Sequence, residues 1–236
     1  MDIDSDLVPW LHGLHATAGG IALFAAPLAM MVHKGGTWHR RWGKTFVWSM
    51  VVVCITAVIM GIIHPDRFWL ALVAVFSFHL IASGYRALYL KNLHRGLRPK
   101  GIDLALHGTA AIVNGGLLIW GLAYLFLDGH STQAILFTVF GLIGSATAAN
   151  GFLRFFRRRH DKREWLYAHM AGFLGGYIAT VSAFSAVNLT MIKPTWLQRL
   201  WPTIIGVPLI FLWTARYKRR FKMGERLREM ADVRIR

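Results

Sequence analysis

The stretch Thr45-Phe46-Val47-Trp48-Ser49-Met50-Val51-Val52-Val53-Cys54-Ile55-Thr56-Ala57-Val58-Ile59-Met60-Gly61-Ile62-Ile63 carries no charged residue, and the basic run Arg40-Arg41-Trp42-Gly43-Lys44 directly precedes it. As a helix it rises about 28 Å, close to the roughly 30 Å hydrocarbon thickness of a bilayer. A surface helix of that length in a soluble protein would have a polar face. This one has none, so it reads as a transmembrane helix held at one membrane face by its cationic leader.

The pattern repeats on both sides of this stretch. Further spans are predicted from about Leu11 to Val32, Phe68 to Leu90, Ile102 to Leu127, Gln133 to Phe156, Trp165 to Met191 and Leu200 to Tyr217. The fold class is therefore all-α, an integral membrane bundle of about seven transmembrane helices. The seven spans occupy residues 1–221, and residues 222–236 form a basic tail suited to an amphipathic helix on the membrane surface.

Charge sets the expected orientation. Lys34, Arg40, Arg41 and Lys44 lie between the first two spans; Lys91, Arg95, Arg98 and Lys100 between the third and fourth; Arg154 to Arg163 between the fifth and sixth; the rest follow the seventh. Of 27 Lys and Arg, only Arg67, Lys193 and Arg199 fall on the other side, and Arg86 lies within a span. Positive loops stay in the cytoplasm during insertion, so the N-terminus is expected outside and the C-terminus inside a bacterial inner membrane.

Composition agrees. The chain has 236 residues, 55% hydrophobic and 16% charged, against roughly 25% charged in soluble domains. Mean hydropathy is +0.43. The net charge of +16 would suggest nucleic acid in a soluble protein, but here it is confined to one set of connectors. It reads as a topology signal and a contact for anionic inner-leaflet lipids, with no nucleic-acid partner. Trp10, Trp42, Trp69, Trp165, Trp196 and Trp201 near span ends read as an aromatic belt. The acidic start, with Asp2, Asp4 and Asp6, is unlike the basic n-region of a signal peptide and reads as solvated. Cys54, the one cysteine, reads as a packing residue.

Polar groups inside a bilayer are expensive and mark functional positions. Histidine dominates here. His79 is expected near the midplane of the third span, His107 and His169 in the inner half of the fourth and sixth, and Arg86 about one turn from the inner end of the third. His15, with His12 three residues before it on the same face and His64, forms an outer group. His39 reads as a loop or headgroup contact. Asp103, four residues before His107, is placed to accept its imidazole N–H and set its tautomer. Plain hydrogen bonding between helices is the bland alternative for each histidine. The zincin signature HExxH, the elbow GxSxG and the phosphate-binding loop are absent from the sequence.

Three pieces carry a resemblance: His15 followed by small residues, the loop His39-Arg40-Arg41-Trp42-Gly43-Lys44, and the stretch His169-Met170-Ala171-Gly172-Phe173-Leu174-Gly175-Gly176-Tyr177-Ile178-Ala179-Thr180 with Ala183-Phe184. They resemble bacterial polytopic membrane proteins of a domain of unknown function, and imply no activity. More weakly, the two levels of histidines are similar to transmembrane b-type cytochromes, which hold haem between helices. That pattern puts an inner and an outer histidine on the same helices, and no span here clearly carries both.

The expected function is an intramembrane haem or metal site with an electron-transfer role. In the haem b form, His107 and His169 are axial ligands, Arg86 pairs with a propionate, His15 serves an outer site, and a quinone is the partner. In a second form, His79, His107 and His169 hold zinc or iron in an enzyme acting on a lipid. A third reading is a transporter or an accessory subunit of a larger membrane complex.

Overall fold

The computed structural model describes residues 3–64, 68–127 and 129–234, with side chains described from 8 to 224 within those ranges. Arg67, Asp2, Asp4 and Asp6 lie outside the described side chains, as do Arg226, Arg228, Arg234 and Arg236 of the tail. The chain forms seven long helices: α1 (Ile3–Met31), α2 (Thr37–Ile63), α3 (Phe68–Ala87), α4 (Gly101–Leu127), α5 (Thr132–Leu153), α6 (Glu164–Asn188) and α7 (Thr195–Arg234). Short 3₁₀ turns at Leu93–Arg95 and Arg154–Phe156 complete the described secondary structure.

Helices α1 to α6 are long and apolar enough to cross a membrane. Their outward surfaces are apolar: Phe24, Trp48, Ile62, Ile112, Ile119 and Phe126 are all exposed. Water does not tolerate so large a continuous apolar surface, whereas lipid does. Helix α7 is not among the six, because Gln198, Arg199, Pro202, Pro208 and Arg216 dilute its apolar segment. It runs unbroken through position 222, and its 40 residues span about 60 Å, twice a hydrocarbon core.

Helix α3 organises the bundle. It packs on α2, α4 and α6 and touches α5, while α1 lies on α2, α5 on α4, and α7 on α6. Two apolar cores flank it. Phe76, Leu80, Leu117, Phe137 and Phe140 join α3, α4 and α5. Ala22, Ala25, Phe46, Met50 and Ile81 join α1, α2 and α3. On the α6 side, Gly84 and Gly172 let two backbones nearly touch: a Cβ on Gly172 would sit 2.5 Å from the Leu80 carbonyl oxygen and 2.6 Å from Gly84 Cα.

Several helix boundaries differ from those the sequence predicts, and two of them matter for the site. Helix α2 begins at Thr37, so the basic run before Lys44 is helical rather than a loop. After the turn at Gly35-Gly36 nothing breaks a helix, and Arg and Lys favour one. His39 is thereby fixed on a helix. Helix α3 ends at Ala87 rather than Leu90, which brings His79 to about 12 Å from its C-terminal end. His107 is about 9 Å from the start of α4.

Candidate functional site

With those boundaries His79 and His107 share a level, and α3 and α4 are neighbours. His79 Nε2 and His107 Nδ1 lie 2.9 Å apart, with the rings edge to face and their centres separated by 5.1 Å. His79 is 2% exposed and His107 4%. One nitrogen of the pair donates and the other accepts. His79 Nδ1 is buried without a hydrogen-bond partner. The His107 ring lies against Gly151 of α5, where a Cβ would come within 2.3 Å of its Cε1.

A charged cluster lies just inward. Arg86 donates from Nε to Asp103 Oδ1 at 2.8 Å and from Nη2 to Oδ2 at 3.0 Å. The Lys100 backbone N–H donates to the same carboxylate at 2.8 Å. Asp103 therefore engages Arg86 and the first turn of α4; the expected partner of its carboxylate was His107, whose Nδ1 is joined to His79 instead. Arg86 in turn has Asp103 as its partner where a propionate was expected. Arg154 is 7% exposed, lies over the Phe155 ring at 5.0 Å, and is within electrostatic reach of Asp103, His107 and Glu164. By sequence Arg154 falls among the connector charges, whereas here it is buried. Its only signal there was that no helix breaker separates it from the apolar residues before it.

His169 is elsewhere. Among the described residues α4 and α6 make no close backbone approach, and the ring contacts of His107 and His169 are with different partners. The Nδ1–H of His169 donates to the Gly84 carbonyl at 3.2 Å, across the Gly84–Gly172 crossing. Its nearest ring is Phe173, at 4.5 Å between centres, and the His39 ring lies 6.5 Å away at 75° between planes. The Nδ1–H of His39 donates to the Ala29 carbonyl at 2.9 Å. Both rings are held in the tautomer whose basic nitrogen is Nε2. His15 donates from Nδ1 to Thr56 Oγ1 at 2.9 Å, and that hydroxyl donates to the Val52 carbonyl, which is a complete helix–helix contact.

The expected inner cluster is thus two pairs on different sides of α3. Among the described residues no three His, Cys, Asp or Glu side chains gather in a set that could hold a metal ion, so His79, His107 and His169 do not form the expected three-ligand site. His79 and His107, hydrogen-bonded at 2.9 Å, remain a buried histidine pair consistent with coordination of a haem or a metal ion, without a third ligand among the described residues.

A groove of about 470 Å³ opens between α2, α3 and α4. The buried His79 lines it, Met50, Phe78 and Ile102 supply apolar wall, and Lys44 and Arg86 are its charged lining residues. Trp48, Phe78 and Ile102 are exposed at its mouth, on the surface that lipid would cover.

Comparison of the chain with protein-family models, with curated proteins and with solved structures finds no match. The resemblances noted in the sequence therefore rest on their motifs alone, and the case for function rests on the site.

Proposed function

We propose that this protein is a multi-pass inner-membrane electron-transfer protein that oxidises a quinol at the His79–His107 pair and passes electrons to a haem. The observation that carries this is His79: a buried imidazole with one nitrogen unpartnered, lining an apolar groove open to the lipid side, and joined through its other nitrogen to a second imidazole. A quinol enters from lipid, and its head is flat and apolar with hydroxyl donors. His79 Nδ1 accepts the hydroxyl proton while Nε2–H passes one to His107 Nδ1, a relay that two hydrogen-bonded imidazoles support. Oxidation of a quinol releases two protons and two electrons. The protons enter the relay towards the Asp103 level. The two electrons leave one at a time: a bound haem would take each in turn, passing the first to a redox partner before it accepts the second.

The topology belongs to the same proposal. The basic connectors mark the cytoplasmic side, α7 crosses as a seventh span, and its continuation past residue 222 leaves the membrane on that basic side, towards anionic headgroups. In support, Ile204, Ile205, Leu209, Phe211 and Leu212 of α7 are exposed apolar residues of the kind lipid covers.

The lipid metalloenzyme reading draws no support from a ligand set of two histidines, since catalytic zinc takes three protein ligands. A proton-translocating reading keeps one observation in its favour, the His79–His107 bond, which would serve proton movement without electrons.

The test is spectroscopic and kinetic. Purified protein supplemented with haemin gains a Soret band, and a short-chain quinol reduces it. His79→Leu slows reduction by quinol about 100-fold while dithionite still reduces the haem fully. A protein without a Soret band after supplementation overturns the proposal. Quinol-driven reduction that is unaffected by His79→Leu removes the groove from it.

A further inference from the structure

We infer that His39 and His169 are the two axial ligands of a haem b iron held between α2 and α6. This inference rests on the electron-transfer reading for its purpose, but its geometry is independent of the quinol groove.

Ring spacing is the first observation. Two imidazoles bound through one nitrogen each to opposite faces of a single iron have ring centres about 6.3 Å apart, from metal–nitrogen bonds of about 2 Å and the nitrogen-to-centre distance of each ring. The His39 and His169 centres are 6.5 Å apart. By contrast the His79 and His107 centres are 5.1 Å apart and directly bonded.

The second observation is tautomer. A ligating histidine almost always donates its other N–H to a carbonyl or carboxylate, which orients the ring and raises its basicity. His39 does this to Ala29 and His169 to Gly84, on two different helices. Each ring is therefore aimed from a rigid backbone with Nε2 as its basic nitrogen.

Third, α2 and α6 make no close backbone approach among the described residues and meet only through side chains. These are His39 with His169, Phe46 with Phe173 at 5.9 Å, and Met50 with Thr180. The backbones of α2 and α6 thus stand apart at the level of the two histidines, with the Phe pair bounding that level on the side away from the basic connectors, and a flat apolar macrocycle would take the place between the two rings. Lys91 is within electrostatic reach of His169, at the level where propionates would meet the basic connectors.

Chemistry selects the cofactor. A porphyrin brings four nitrogens of its own, so haem needs only two protein ligands, and the described residues offer pairs of histidines but no larger set.

The experiment is haemin titration of the full chain in detergent, followed by absorption and electron paramagnetic resonance. A six-coordinate low-spin spectrum at one haem per chain is expected, with the ferric signal of near-perpendicular imidazole planes. His39→Gly and His169→Gly each lose the low-spin spectrum, and added imidazole restores it, which separates ligand loss from misfolding. His107→Leu keeps the low-spin spectrum. A low-spin spectrum that survives His39→Gly, or vanishes in His107→Leu despite a monodisperse protein, overturns the assignment while leaving a haem protein. A wild-type protein that takes up no haem overturns both this assignment and the electron-transfer reading. Haem uptake with normal ligation but no reduction by quinol overturns only the latter.

Discussion

Arg86 holds Asp103 through two hydrogen bonds while Asp103 is 1% exposed and Arg86 keeps 24% of its side chain open. The bond pattern follows from cost: a buried carboxylate without a counter-ion is far less stable than a paired one. Arg86→Met therefore leaves a buried unpaired charge and is expected to destabilise by about 3 kcal/mol, towards the lower end for buried pairs because Arg86 is partly open. Arg86→Met with Asp103→Asn recovers most of that loss, since Asn keeps an acceptor for the Lys100 N–H. Thermal unfolding of the detergent-solubilised protein reads both, and a double variant no better than the single one refutes the pairing argument. At this scale the sequence was legible in part. It marked His79, His107, His169 and Arg86 because polar groups in apolar spans are few. It could not say which bonds which, since Asp103 is four residues from His107 yet turns to Arg86, on another helix.

Helix α3 determines which elements meet. Gly84 and Gly172 let α6 lie against it closely enough for His169 to reach the Gly84 carbonyl. Gly172→Ala places a Cβ into the Leu80 and Gly84 backbone, which cannot move as a side-chain tip can. Overpacking of this kind costs roughly 1–3 kcal/mol. A lower unfolding temperature is expected, together with weaker haem retention if His169 is a ligand; an unchanged unfolding temperature would show that the crossing is not a tight contact. Helix α7 is tied to α6 at the opposite end. Gln198 donates to the Ser185 carbonyl at 2.9 Å, and the Trp201 indole N–H donates to Ser185 Oγ at 2.9 Å. The sequence located the apolar segment of each helix, because apolar length is a local property, but α1 and α2 begin well before the predicted spans and α7 runs well past its predicted end. The early start of α2 escaped it because a basic aromatic run reads as a loop by charge and as helix by backbone preference. That ambiguity is why His39 read as a surface contact.

Across the whole molecule, the basic segments gather at one end. Lys91, just after α3, lies over Trp165 of α6 at 4.7 Å; Arg163 lies over Phe221 of α7 at 4.2 Å; and Lys218 lies over Tyr167 at 5.1 Å. His39 near the start of α2 neighbours His169 at the same end. One cationic face and one nearly uncharged face make the insertion direction testable. Cys54 is buried and is the only cysteine, so introduced cysteines report with little background. In intact cells Arg158→Cys is expected to resist a membrane-impermeant maleimide and His130→Cys to react; the reverse pattern inverts the proposed orientation. The all-helical class, the apolar segments and the segregation of charge were determined by the sequence alone, because each depends on residues near one another along the chain and on their transfer from water to lipid. The pairing of His79 with His107 and of His39 with His169, the bond between Arg86 and Asp103, and the groove beside His79 were decided only by tertiary structure. They depend on which helices become neighbours and on their rotation about their own axes, and that is set by close packing at small residues such as Gly84, Gly151 and Gly172, distant from one another in sequence.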